Sequence, residues 1–318
     1  MKVTEHIKDL KKTIFTFEVL PPLKGESIHA LYRMLDPLME FKPPFINVTY
    51  HRSEYVYKKL PNGYLQKVAV RKRPGTVGIC AAIMNRYKVD TVPHIICGGF
   101  TREETEDALL DLHYIGIENV LALRGDPPRN EKDFKPEEGG HGYAVDLVKQ
   151  IININQGKYM EEDLKNGIRT NFCVGVAGYP EKHFESPNLE EDLHWVKAKA
   201  DAGAEFIVTQ MFYDNKNYFQ FVENCRKTGI TIPIIPGLKP IVSKKQIKAL
   251  PKTFNIDIPF ELSQELEKCS NEEQACEVGK EWLYHQTKEL IAADIPCVHF
   301  FTMSNDAASL AEVVKKVF

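Results

Sequence analysis

The sequence lacks the cysteine patterns that build disulfide scaffolds and zinc ribbons. Its 318 residues include seven cysteines, an odd number, scattered between Cys80 and Cys297 without a CxxC pair. A disulfide framework or a structural zinc site needs paired or closely spaced cysteines. Several of the seven lie inside apolar runs, so we expect reduced, buried thiols.

The sequence also has no segment with the features of a membrane span or a secretion signal. No apolar run approaches the ~20 residues that cross a bilayer, and the first residues, MKVTEHIKDLKK, have no long apolar core. The net charge is −3, without the basic surplus typical of nucleic-acid binding. We therefore expect a cytoplasmic protein that binds neither membranes nor nucleic acid.

Eight short, mostly apolar runs alternate with helix-type patterns along the chain. These predicted strands are Ile14–Val19, Phe45–Thr49, Thr91–Ile96, Asn119–Leu123, Phe172–Ala177, Phe206–Gln210, Ile232–Pro236 and Val298–Thr302. The alternation predicts an α/β protein, a (β/α)8 TIM barrel that forms one domain over residues 1–318. An open doubly wound sheet is the alternative, and the lack of a GxGxxG or GxxxxGKS/T loop after any strand favours the barrel.

Polar residues mark where several helices are predicted to begin. Thr101 and Glu104 have capping-box spacing, and their helix is predicted to stop at Gly116. The other predicted starts and ends are Asn188 to Gly203, Asn215 to Gly229, and Asn271 to Ile291.

The segment after the second strand departs from a minimal barrel. Alternating residues flank Pro61-Asn62-Gly63, and alternation around Asn-Gly predicts a β-hairpin. We expect this hairpin to project from the C-terminal face of the barrel. It carries the basic residues Lys58, Lys59, Lys67, Arg71, Lys72 and Arg73.

Residues at the C-terminal ends of the strands are the candidates for chemistry, because barrels of this kind form their active sites there. Glu18, His94 and Asp126 are the only such residues of metal-ligating type, and their positions are too scattered to predict a metal site. No lysine lies at the middle of a strand, where a Schiff-base enzyme would need one. Polar groups spread around a wide mouth favour a large, flat, polar organic cofactor.

Several strand-end motifs together resemble those of the methylenetetrahydrofolate reductase family. They lie on seven of the eight predicted strands, in the family's order. The motifs are Phe17-Glu18-Val-Leu-Pro-Pro22, Val48-Thr49-Tyr50, Leu121-Ala-Leu-Arg124-Gly-Asp126, Val176-Ala-Gly-Tyr179-Pro-Glu-Lys-His183, Thr209-Gln210-Met-Phe212, Ile235-Pro-Gly-Leu238 and His299-Phe-Phe301. The match is closest to the short prokaryotic type that consists of the catalytic domain.

The resemblance implies an FAD-dependent reduction of 5,10-methylenetetrahydrofolate to 5-methyltetrahydrofolate, with NADH or NADPH as electron donor and a homo-oligomeric protein. Glu18 matches the family's general acid, and we expect burial to raise its pKa. Asp126 matches a catalytic carboxylate near flavin and pterin, while Gln210 and Phe301 match folate contacts. The positions that match FAD contacts are Thr49, Tyr50, His94, Arg124, Gly125, Asp126, Tyr143, Ala144, Asp146, Tyr179, His183, Asp192 and Lys199.

Departures from the family pattern keep other hypotheses open. Phe301 replaces a tyrosine, and Ser304-Asn305 and Lys239 also differ from the usual residues. One alternative is a flavin- or folate-binding barrel that has lost turnover and acts as a partner subunit. Another is a barrel enzyme that holds a phosphate-bearing substrate after strands seven and eight. The basic hairpin is a solvated face, a contact for an anionic part of the ligand, or a subunit contact.

Overall fold

A computed structural model describes residues 1–8, 10–128, 131, 133–161, 163–164, 166–302 and 306–318. Its strands are β1 (Ile14–Val19), β2 (Phe45–Val48), β3 (Glu54–Lys59), β4 (Leu65–Val70), β5 (Asp90–Ile96), β6 (Asn119–Leu123), β7 (Cys173–Gly178), β8 (Phe206–Met211), β9 (Ile234–Leu238) and β10 (Cys297–Phe301).

Eight of these strands close into a parallel barrel in the order β1-β10-β9-β8-β7-β6-β5-β2. Strand β1 pairs with β2 on one side and with β10 on the other, so the sheet has no open edge there. The predicted TIM barrel is confirmed, and the open doubly wound sheet is wrong.

The hairpin prediction is also confirmed. Strands β3 and β4 pair antiparallel from Glu54–Val70 to Lys59–Leu65 and form a separate two-stranded sheet. Gly63 closes the turn with a φ of +85°, a conformation that glycine adopts without steric cost.

Helices surround the barrel and connect its strands. They are α1 (Val3–His6), α2 (Ile28–Met39), α3 (Thr76–Tyr87), α4 (Arg102–Tyr114), α5 (Ala144–Asn155), α6 (Leu189–Asp201), α7 (Asn215–Lys227), α8 (Gln246–Phe254), α9 (Phe260–Lys268), α10 (Glu272–Ala292) and α11 (Ala307–Val317). None of the helices within the described ranges is long and apolar enough to cross a membrane.

Three of the four predicted helix starts are confirmed. Thr101 caps α4 in a capping box, and the side chains of Asn188 and Asn271 cap α6 and α10. The prediction for Asn215 is wrong by one residue, because Asp214 accepts the capping hydrogen bond from the Lys216 amide. Asn215 is buried, and its amide donates to the Gln286 carbonyl instead.

Strand β9 lies two residues further along the chain than predicted, beginning at Ile234. Pro233 has no N–H to donate to a sheet, so regular pairing starts after it. The shift places Gly237 within the strand instead of just beyond it.

Side chains of the barrel strands point alternately toward the helices and toward the interior. In β1, Phe15 and Phe17 belong to the outer core, which packs against the helices. Thr16 and Glu18 alternate with them and point inward. Below Glu18 the interior is filled by apolar side chains, among them Phe45, Val92, Leu121, Phe206 and Ile235. Each of these side chains contributes about 1.5–3 kcal/mol to stability when fully buried. Together they form a packed apolar floor beneath the mouth.

Candidate active site

A polar cluster lies on the apolar floor, at the C-terminal end of the barrel interior. In the sheet register Glu18 is level with Asn47 on β2 and with Phe301 on β10. His94 of β5 and His299 of β10 reach the same carboxylate. Their Nε2 atoms lie 3.9 Å and 3.7 Å from Glu18 Oε2.

Glu18 is largely buried between these two imidazoles, with 16% of its side chain exposed. Burial raises the pKa of Glu18, but the contact with His299 and the electrostatic interactions with His94, His299 and Lys239 outweigh it. The pKa therefore lies below its ordinary value, and the expected upward shift is wrong for the ligand-free protein. At neutral pH Glu18 is a carboxylate.

His94 is neutral at physiological pH, because burial lowers its pKa to about 4. Its Nε2 atom is buried without a hydrogen-bond partner, and so are both polar atoms of the Asn47 side chain. Buried polar groups usually have partners. These atoms can therefore accept or donate hydrogen bonds to a ligand above the floor.

The turn after β6 brings a second carboxylate to the mouth. Gly125 has a φ of +82° and separates Arg124 from Asp126, whose side chain is exposed. Arg124 Nη1 lies 2.6 Å from Glu185 Oε2, so its guanidinium is held by a carboxylate in this structure.

The end of β2 continues into Thr49, Tyr50 and His51. The Thr49 hydroxyl donates to the Val19 carbonyl at 3.2 Å, and the Tyr50 ring lies 5.0 Å from Phe100. Burial and the charge of Arg73 lower the pKa of His51, while Glu18 and Asp126 act in the opposite direction. His51 therefore interacts electrostatically with both candidate catalytic carboxylates, Glu18 and Asp126. Sequence reasoning missed it, although it directly follows the Val-Thr-Tyr motif.

The loop after β7 and helix α6 form the next part of the rim. The rings of Tyr179 and His183 meet edge to face at 4.6 Å. Asp192 is buried, and its Oδ2 has no hydrogen-bond partner, while its Oδ1 accepts from the Ser186 hydroxyl. Lys199 Nζ donates to the Ala177 carbonyl at 2.6 Å, and burial lowers the pKa of Lys199 to about 8.

An aromatic pair lies beside this rim. Tyr143 is the N-cap residue of α5, so Ala144 and Asp146 lie in the first turn of that helix. The Tyr143 ring stacks on Trp195 of α6 at 5.6 Å with an interplanar angle of 7°. Trp195 was missed by sequence reasoning. Trp195 lies three residues after Asp192 and four before Lys199, so all three share one helix face. This spacing is the sequence signal that could have identified Trp195.

The last strands complete the mouth. Gln210 is the penultimate residue of β8, where its side-chain oxygen accepts from the Met211 amide. The Phe301 ring lies against Gly237 and meets His299 edge to face at 5.0 Å. Ser304 and Asn305 lie outside the described residues.

The departure at Lys239 has a structural explanation. Its Nζ atom lies 2.5 Å from Asp306 Oδ2, and the two side chains are 1% and 2% exposed. This buried ion pair joins the end of β9 to the start of α11. The Gly237 amide donates to Thr209 Oγ1, so neither residue is available to bind a phosphate. The hypothesis of a phosphate site after strands seven and eight rests on Pro236-Gly237, whose Gly237 amide already has this partner.

The structure thus arranges the predicted residues in two neighbouring groups. The central group lies around the buried cluster and consists of Glu18, Thr49, His94, Asp126, Gln210 and Phe301. The outer group lies along the loops after β6 and β7 and helices α5 and α6, and consists of Arg124, Tyr143, Asp146, Tyr179, His183, Asp192 and Lys199. Among the described residues, no group of three or more His, Cys, Asp or Glu side chains could hold a metal ion. The central group offers proton transfer, and the outer group offers stacking and charge.

Similarity to known proteins extends over nearly the whole chain. A family model described as methylenetetrahydrofolate reductase matches residues 2–317. The chain is 32% identical to methylenetetrahydrofolate reductase (NADH) 1 of Arabidopsis thaliana, over 98% of this chain and 50% of that protein. It is 30% identical to 5,10-methylenetetrahydrofolate reductase of Salmonella typhimurium, over 93% of this chain and 88% of that one.

Among solved structures, an uncharacterised Clostridium thermocellum protein described as binding two copies of 5-methyl-5,6,7,8-tetrahydrofolic acid has a TM-score of 0.59. It is 14% identical and covers 99% of this chain and 100% of its own, a likeness that concerns the fold alone. The chain spans about half the length of the first curated relatives that it matches.

Proposed function

Because the chain belongs to the methylenetetrahydrofolate reductase family, we propose that it reduces 5,10-methylenetetrahydrofolate to 5-methyltetrahydrofolate with NADH or NADPH as electron donor. The observation that carries the proposal is Glu18. It is the carboxylate that matches the family's acid, and it is buried between two imidazoles at the centre of the barrel mouth.

Glu18 supplies the proton that opens the five-membered ring of the folate. A carboxylate must first be protonated to act as an acid, and the ligand-free site holds it ionised. A bound folate excludes water from the mouth, which adds to the burial that raises the pKa of Glu18. Asp126 accepts N–H groups of the pterin, Gln210 donates its amide to the substrate, and the Phe301 ring offers a stacking surface.

The described residues suit FAD, with candidate contacts for it in both the central group and the outer group. When bound, FAD would supply ping-pong hydride transfer from NADH or NADPH to the folate. His94 Nε2 and Asp192 Oδ2 are buried atoms that still lack a partner and suit the polar groups of a flavin nucleotide.

The pyrophosphate and the adenosine of FAD are assigned to the outer group. Arg124, whose guanidinium fork matches phosphate oxygens, and Lys199 supply positive charge for the pyrophosphate. Tyr143, Ala144 and Asp146 receive the adenosine.

Trp195 and Tyr143 are expected to stack on the adenine ring of FAD. Tyr143 is 55% exposed and Trp195 is 38% exposed, so the stacked pair has open ring surface. The chain has two tryptophans, and Trp282→Phe leaves Trp195 as the single reporter. Adding FAD to this variant is expected to quench its fluorescence strongly, whereas FMN, which lacks adenine, quenches it weakly.

Trp195→Ala is expected to weaken FAD binding about tenfold, since stacking a base on an aromatic ring contributes about 1–3 kcal/mol, and to leave FMN binding unchanged. The matched control is Trp195→Phe, which keeps a flat ring. Equal quenching by FAD and FMN, or an equal loss of affinity for both, contradicts this role.

The choice between NADH and NADPH is open, because the names of the relatives differ on it. We also propose one catalytic domain over residues 1–318, a homo-oligomer and a cytoplasmic location.

An anaerobic stopped-flow experiment tests the function. The purified protein, reconstituted with FAD, is mixed with NADH or NADPH, and the flavin absorbance is expected to bleach. Addition of 5,10-methylenetetrahydrofolate is expected to restore it with formation of 5-methyltetrahydrofolate. A protein that binds flavin or folate yet completes neither half-reaction is the partner-subunit alternative, which Phe301 keeps open.

A further inference from the structure

The positively charged segment at the base of the hairpin, residues 71–73, packs against the loop that follows the candidate acid Glu18. We propose that Arg71 and Arg73 bind the anionic end of the substrate, the carboxylates of a folate that carries several glutamates. This inference rests on the proposed function and names the form of the substrate that the site prefers. It also explains why the chain departs from a minimal barrel at this place.

Arg73 is fixed to the loop that follows the acid. Its Nη1 donates to the carbonyl of Pro21, three residues after Glu18. The adjacent Lys72 carbonyl accepts from the Lys24 amide at 2.7 Å. The end of β4 is therefore tied to the β1–α2 loop, and the Arg73 charge is held at the barrel mouth.

Arg71 follows β4 and lies beside Tyr50, just after the end of the barrel strand β2. Its guanidinium is 6.0 Å from the Tyr50 ring and lies against Gly75, where a Cβ atom would collide with it. Arg71 is exposed, and none of the carboxylates within the described ranges forms an ion pair with it. Its charge is thus available to a ligand.

Lys72 has a different role from its two neighbours. Arg73 contacts the Pro21 carbonyl and Arg71 lies beside Tyr50, so both guanidinium groups lie toward the mouth. Lys72 forms an ion pair with Glu54 of β3, which closes the base of the hairpin. The two arginines are left on the side of the mouth.

The electric field at the mouth connects this pair to the chemistry. Burial is the main cause that lowers the pKa of His51; Arg73 lowers it further, and Glu18 and Asp126 raise it. The cation and the two carboxylates therefore act on one side chain. His51 thus lies between the candidate catalytic carboxylates and Arg73 in the electrostatics of the mouth, which suits a ligand that contacts both.

The rest of the hairpin continues the positive charge outward. Residues 54–73 contain six basic residues and one acidic residue, in a chain whose net charge is −3. Lys58, Lys59 and Lys67 are exposed along β3 and β4. A chain of linked glutamates, with one carboxylate for each unit, is complementary to such a path.

The hairpin tip also exposes Tyr57, Tyr64 and Leu65, which are 65%, 73% and 65% exposed. Such a tip could contact a second copy of the chain. The charge of the hairpin opposes pairing two copies of the same basic surface, and the arginines lie at the mouth and not at the tip. The observations therefore favour the anionic ligand, and subunit contact is an outcome of the test.

The experiment compares methylenetetrahydrofolate with one glutamate and with five. In the unmodified protein the five-glutamate form is expected to have a KM about tenfold lower, an advantage that shrinks in 1 M salt because charges are screened within ~3 Å there. Arg71→Glu with Arg73→Glu is expected to raise the KM for the five-glutamate form at least tenfold and that for the one-glutamate form less than threefold. Arg71→Gln leaves the contact between Arg73 and Pro21 in place. It is expected to raise the KM for the five-glutamate form more than that for the one-glutamate form, but by a smaller factor than the double variant.

The matched control is Lys315→Glu with Lys316→Glu, which changes the net charge equally on exposed residues at the C-terminal end of α11, away from the mouth. It is expected to leave both KM values unchanged. Equal KM increases for the two substrates in the arginine variants, or an unmodified protein without preference, overturn the subsite. So does a loss of oligomeric state in sedimentation, which assigns the hairpin to a subunit contact.

Failure of the proposed function gives a different result. An unmodified protein that turns over neither form is not the reductase. Calorimetric titration with 5-methyltetrahydrofolate bearing one or five glutamates then measures the subsite by itself. Tighter binding of the longer form that is lost in Arg71→Gln supports it, and equal binding overturns it.

Discussion

Replacing Glu18 by glutamine is expected to reduce folate turnover by about 10²–10⁴-fold, the range that a positioned general acid contributes. Glutamine has the shape of glutamate but no acidic proton. Bleaching of the flavin by NADH or NADPH needs no such proton and is expected to continue at the rate of the unmodified protein. The two halves of the stopped-flow experiment separate these effects.

The pH dependence of the folate half-reaction gives a second measurement of the same residue. The pKa of Glu18 in the free protein lies below its ordinary value, so the acid form is a small fraction at neutral pH. That fraction grows about tenfold for each unit by which the pH falls toward the pKa. We therefore expect kcat/KM for the folate to rise on acidification, and this rise to be absent in Glu18→Gln.

The control is Glu118→Gln, an exposed carboxylate just before β6, at the opposite end of the barrel. It is expected to match the unmodified protein in both half-reactions. If Glu18→Gln also reduces methylenetetrahydrofolate normally, the proton comes from another group and the role assigned to Glu18 is wrong.

Replacing Lys239 by methionine is expected to lower the free energy of unfolding by about 3–5 kcal/mol, the usual cost of removing one member of a buried ion pair. The methionine fills much of the volume but leaves the charge of Asp306, which is 2% exposed at its side chain, without the lysine ammonium. Denaturant unfolding followed by circular dichroism measures the loss.

Lys227→Met is the matched control, because Lys227 pairs with Glu223 on the surface, where the two side chains are 65% and 57% exposed. Its cost is expected to be below about 1 kcal/mol. The double variant Lys239→Met with Asp306→Leu is expected to be more stable than Lys239→Met alone, since both charges are gone. A Lys239→Met protein as stable as the Lys227→Met control would show that the buried pair contributes little.

Much of the fold follows from local patterns. The barrel strands are apolar runs, the hairpin has Asn-Gly at its turn, and Thr101, Asn188 and Asn271 begin helices as their capping chemistry predicts. The errors are local as well. Pro233 delays β9, and Asp214 caps α7 in place of Asn215.

The site could be predicted as a set of residues but not as a geometry. The motifs contain Glu18 and His299, yet the lowering of the Glu18 pKa depends on their contact across 281 positions of sequence, which the motifs do not reveal. The Tyr143–Trp195 stack and the Lys239–Asp306 pair also join distant segments. Such contacts follow from the tertiary packing of the barrel, which no local pattern encodes.

The seam between β1 and β10 has a consequence for how the protein acquires its acid. The Thr302 hydroxyl donates to the Glu18 carbonyl across 284 positions of chain, and His299 arrives on the same strand. Contacts of such long sequence separation form late and slowly, because closing a large loop costs entropy before any contact repays it. A refolding intermediate without a docked β10 would hold Glu18 in water, as an ordinary carboxylic acid. During refolding, the lowered pKa of Glu18 is therefore expected to appear in a separate, slower phase than the recovery of secondary structure.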